Sequence, residues 1–152
     1  MRSLLFLPIL LITATAAATA QTATVDPRAL EACQIESSNF VDIRSCLPDA
    51  HVAVKALDAF STIYPSEAQQ IRERCLELND QVAGAMTCTV QAVKSAVELA
   101  ALLPEGSALN DAVFEGARDP DHLVKLEAVI DEARALFPEK RMWGGGIYRQ
   151  YR

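Results

Sequence analysis

His51-Val52-Ala53-Val54-Lys55-Ala56-Leu57-Asp58-Ala59-Phe60-Ser61-Thr62-Ile63 is the stretch whose reading decides the fold. Ala53, Ala56, Leu57, Phe60 and Ile63 recur at steps of three and four, so on a helix they form one apolar stripe, with His51, Lys55 and Asp58 on the opposite face. A strand would need strict alternation, which is absent here. The spacing predicts a helix that opens after Pro48-Asp49 and closes before Pro65.

The same period continues downstream. Ala68, Ile71, Cys75, Leu78 and Val82 form a second stripe, with Ser66 as N-cap and Gln69 three residues on in a capping-box pattern. Val90, Val93, Val97 and Ala100, widened by Leu99, Leu102 and Leu103, define a third helix running to Pro104. Leu123, Leu126, Ile130, Ala133 and Phe137 define a last helix, with Asp119 as N-cap, Pro120 at the first helical position and Pro138 as its stop. Shorter helices fit Pro27 to Glu36, Phe40 to Leu47 and the segment after Ser107. The fold class is therefore all-α, a small disulfide-stabilised bundle of five to eight helices.

The cysteines suggest an internal repeat. Cys33 and Cys46 have the same separation as Cys75 and Cys88, and a shift of 42 positions carries one pair onto the other. Glu31 with Glu73, Ala50 with Ala92, Leu57 with Leu99 and Ala59 with Ala101 match at that offset. Two related helical units follow, with the rest of the chain closing them. Four cysteines allow three disulfide connectivities, and the repeat favours Cys33 with Cys46 and Cys75 with Cys88. Uninterrupted helix would hold each pair about 20 Å apart, so each interval must contain a turn. Ser37-Ser38-Asn39 supplies one; Asn79-Asp80 stands in the equivalent place, although the apolar stripe runs through it to Val82.

Upstream, Met1-Arg2-Ser3, the apolar run Leu4 to Ile12 and the small residues ending Ala18-Thr19-Ala20 follow the order of a cleavable export signal over residues 1–20. The apolar run is shorter than the roughly 20 residues of a spanning helix, so no transmembrane anchor is expected after cleavage. The mature chain then starts at Gln21, in the periplasm or outside the cell. That oxidising setting favours disulfides over a thiolate metal site, as does the wide cysteine spacing.

Residues 21–138 form the helical domain, with nine basic and 19 acidic groups, a net charge of −10. Residues 139–152 carry four basic groups and one acidic, a net of +3. The acidic body argues against nucleic acid as a partner. The tail, Lys140-Arg141-Met142-Trp143-Gly144-Gly145-Gly146-Ile147-Tyr148-Arg149-Gln150-Tyr151-Arg152, holds the only Trp, two of three Tyr and three of six Gly. Trp, Tyr and Arg are the side chains most often found as binding anchors, so Trp143, Tyr148, Arg149, Tyr151 and Arg152 are the candidate partner-binding residues. Two alternatives stand beside this: the tail folds back with Trp143 capping the core and its basic groups on the acidic body, or it takes no fixed structure.

Catalytic constellations are scarce. His51 and His122 are the only histidines, neither in His-Glu-x-x-His spacing nor followed by the Asp of secreted phospholipases, and both read as surface residues. Asp111, Glu115, Asp119 and Asp121 form the densest acidic stretch but lack an EF-hand ligand ladder, and read as helix-start carboxylates. No catalytic residue, metal or cofactor is assigned. The sequence supports an exported noncatalytic protein that binds an unknown protein or envelope component. A hydrolase whose carboxylates converge only in the fold, and a carrier of an apolar ligand, are the alternatives.

Overall fold

The computed structural model describes residues 24–104, 107 and 109–138, and all regular structure among them is helical. The elements are α1 (Pro27–Glu36), α2 (Phe40–Ile63), a 3-10 turn (Ser66–Ala68), α3 (Gln69–Leu78), α4 (Val82–Leu102), α5 (Ala112–Ala117) and α6 (Pro120–Ala135). Residues 1–20, where an export signal is expected, and the tail, residues 139–152, lie outside the described residues. No helix among those described is long and apolar enough to cross a membrane.

The repeat inferred from the cysteines is a repeat of helices. Adding 42 to the bounds of α1 gives those of α3, and Phe40, the first residue of α2, lands on Val82, the first of α4. Each unit is a short helix, a tight turn and a long helix. Cys33–Cys46 staples α1 to α2 with Cα atoms 5.8 Å apart, and Cys75–Cys88 staples α3 to α4 at 5.6 Å. Both turns required by that pairing exist. Asn39 caps α2 by accepting from the Val41 N–H, whereas at the second turn Asn79 reaches back and donates Nδ2 to the Cys75 carbonyl at 2.8 Å. Gly84 makes room for that cap, because a Cβ there would lie 2.9 Å from Asn79 Oδ1.

α2 is the axis of the fold. Ala50 and Val54 pack with Ala29 and Cys33 on the α1 side, while Val52, Ala56 and Phe60 join Val93 and Ala96 of α4 and Leu126, Ile130 and Ala133 of α6. A helix covered on both sides buries eight of its residues between Ala50 and Phe60, His51 among them. This corrects the expectation for His51 alone, since Lys55 and Asp58 keep half-exposed side chains on the outer face. The sequence boundary at Pro48 is also corrected: α2 runs through it, and Pro48 simply offers no N–H to the preceding turn.

Capping chemistry sets the remaining ends. Asp26 caps α1, Asp111 caps α5 and Asp119 caps α6, each accepting a backbone N–H from two residues on, so two of the carboxylates in the acidic stretch are helix-start groups as expected. The predicted Ser66–Gln69 capping box does not form. Ser66 opens the 3-10 turn, and Gln69 instead donates Nε2 to the Tyr64 carbonyl at 3.0 Å, holding the corner after α2.

Candidate functional site: a groove between α2, α4 and α6

α4 and α6 both lie along α2 but scarcely touch each other. The gap is a groove of three adjoining hollows that share the Arg134 side chain. One of about 740 Å³ lies between Pro48, Asp49 and Val52 of α2 and Asp131, Arg134 and Phe137 at the end of α6. A second, of about 660 Å³, runs past Asp49 to Asn79, Ala83, Gly84 and Thr87. The third, of about 340 Å³, continues up α4 between Met86, Val90 and Lys94 on one wall and Glu127, Ile130 and Asp131 on the other.

All three hollows are open-sided, so the groove is a surface rather than a chamber. Its floor is apolar, with Val52 and Ile130 belonging to the main core and Met86 and Val90 packed against it. Its rim is charged. Lys94 pairs with Glu127 at 2.8 Å across the gap, bridging α4 to α6, and Arg134 pairs with Asp131 at 3.4 Å along α6. Glu127 and Asp131 are solvent-accessible and each lies beside a cation.

The two histidines serve the fold. Next to the groove end, His51 is 4% exposed, and its Nδ1 accepts the Asp26 backbone N–H at 3.0 Å. That bond requires the neutral ring with its proton on Nε2. Burial and the nearby Lys55 push the His51 imidazole below its ordinary value, against the opposing pull of the Asp26 carboxylate. Phe137 meets the ring edge-on at 5.6 Å. The Asp26 carboxylate accepts from Arg28 and Lies within 3.2 Å of Lys55 Nζ, and Arg28 also pairs with Asp58. These cations, with the Arg28 hydrogen bonds first, hold the Asp26 carboxyl well below the usual carboxylate range.

His122 is half-buried against Tyr64, with rings 5.2 Å apart and Nε2 3.7 Å from Asp119, so it too departs from a surface position. The Tyr64 hydroxyl is buried without a hydrogen-bond partner among the described residues, and so is His122 Nδ1. Burial, with Asp119 and Glu127 adding, pushes the Tyr64 phenol well above its ordinary value. A phenol so placed is a poor nucleophile.

The structure therefore brings the four sequence-assigned cysteines together as two disulfides and leaves Trp143, Tyr148, Arg149, Tyr151 and Arg152 outside the described residues. Sequence reasoning missed the groove, because its walls come from three helices distant along the chain. Two disulfides fit an extracellular or periplasmic setting. No protein-family model, curated protein or solved structure matches this chain.

Proposed function

We propose that this is an exported, noncatalytic binding protein of the periplasm or cell exterior that engages a protein or envelope component through the α2–α4–α6 groove and the tail beside it. The observation that carries the reading is the groove itself. An open-sided channel with an apolar floor and a charged rim suits an elongated ligand such as a polypeptide segment, whereas small molecules are held in sites that bury most of their surface. Trp143, Tyr148, Arg149, Tyr151 and Arg152 are the anchors on the tail side, which starts directly after Pro138 on the groove wall.

Capture from the native compartment tests the reading. Bait proteins are the mature chain, the chain lacking Trp143 to Arg152, and a Thr87→Arg variant that fills the groove from its α4 wall. A partner held by the mature chain and lost from both variants is the expected result. Equal capture by all three refutes it.

A further inference from the structure

We infer that the groove is the intramolecular docking site of the chain's own tail, residues 139–152, with Trp143 seated on the apolar floor. In the purified chain nothing competes with the tail for the groove; a partner that binds there displaces the tail, whose aromatic and basic anchors then join it.

The first support is where the described chain ends. Phe137 and Pro138 are themselves part of the groove wall, so the tail is rooted in the site. Trp143 stands five positions beyond Pro138, a reach of up to about 17 Å when extended. That reach takes Trp143 into the hollow that Pro138 itself lines, and the α4 wall of the groove, from Ala83 to Lys94, is about 17 Å long at the helical rise. Gly144-Gly145-Gly146 then lets the chain reverse, returning Ile147, Tyr148 and Tyr151 over the same channel.

The second support is charge. The tail carries a net +3 and the body a net −10. Asp49, Glu127 and Asp131 stand along the groove, and the tail holds Lys140, Arg141, Arg149 and Arg152. The third is effective concentration. A segment tethered at the rim meets its own groove at roughly millimolar concentration, far above that of a second copy in dilute solution.

Trp143 is the only Trp in the chain, so its fluorescence reads the docking directly. The probe is the full mature, oxidised protein at low micromolar concentration, compared with a free synthetic peptide of residues 139–152. Emission to the blue of the peptide's, with at least twofold weaker acrylamide quenching, is expected. Thr87→Arg and the exposed Asp131→Lys should each return both readings toward the peptide's. Ile35→Lys, which makes a charge change on an 82% exposed residue of α1, should leave them where they were. Circular dichroism confirms that each variant is folded, and the two groove variants lie on different helices so that one misfolded protein does not decide the outcome.

Three results overturn the inference. Trp143 emission already equal to the peptide's means that the tail is undocked. A shielded Trp143 that neither groove variant moves means that it docks elsewhere. Emission that changes with protein concentration, together with doubled mass by light scattering, assigns the groove to the tail of a second copy.

Discussion

Replacing His51 with Asn separates the titration of the buried imidazole from its structural bond. Asn carries an oxygen that can take the position of Nδ1 and accept the Asp26 N–H, but it does not titrate. In the native chain that bond is 3.0 Å long and buried, and protonating Nδ1 turns the acceptor into a second donor facing the same N–H. Leaving a buried donor unsatisfied costs about 1–3 kcal/mol. The sign follows from the direction of the shift. An unfolded His titrates near 6.5, and the folded one lies lower because of burial and Lys55. Between those two values the unfolded chain binds more protons than the folded one, so stability is fully present above about pH 6.5 and falls as the pH drops toward the folded value. The steepest slope one such group can impose is about 1.4 kcal/mol per pH unit. Asp26 acts in a separate, lower window. Its folded value is depressed, so its contribution is present above about pH 4 and is lost as the pH falls through the folded value. Urea unfolding followed by circular dichroism at pH 7.5, 6.5, 5.5 and 4.5 is the assay. The native chain should lose stability across the three lower points, and His51→Asn should flatten that loss while His122, common to both proteins, cancels. An identical pH slope in the two proteins, or a native chain that gains stability on acidification, refutes the reasoning.

Removing either disulfide as a Cys→Ser pair should cost about 3 kcal/mol, since each closes a loop of similar size, and the urea midpoint of the oxidised double variant reads it. The mature oxidised chain should correspondingly show no alkylatable thiol by intact mass. Phe60→Ala should cost about 3–5 kcal/mol, because the ring is fully buried where α2, α4 and α6 meet and stacks on Tyr64 with centroids 4.4 Å apart; equilibrium unfolding measures it.

Local chemistry was legible in the sequence wherever it acted locally. Asp119-Pro120 marks the start of α6 because an N-cap carboxylate and a proline that needs no N–H are decided by neighbours along the chain. The disulfide pairing was legible because a repeated spacing implies a repeated hairpin, and the helix bounds follow the same offset. His51 was not legible. Its polarity reads as exposure, but α1 folds over that side of α2 and the Asp26 backbone N–H satisfies the ring. Gln69 was misread for a related reason: its amide reaches the Tyr64 carbonyl across the corner rather than the helix start behind it. The break at Asn79 lay hidden under an apolar stripe, and only the cap on Cys75 with the space left by Gly84 explains it. The groove depends on how α4 and α6 diverge along α2, a packing property that no single helix carries in its own residues.

The claim that the groove is the binding face is tested most directly by photo-crosslinking in the native compartment. A photoreactive residue is placed at Thr87, on the groove wall, and in parallel at Ile35 on α1. Adducts with another protein or envelope component from Thr87, reduced when Asp131 is changed to Lys and absent from Ile35, are the predicted result. Adducts of the same pattern from both positions, or from Ile35 alone, would contradict the account.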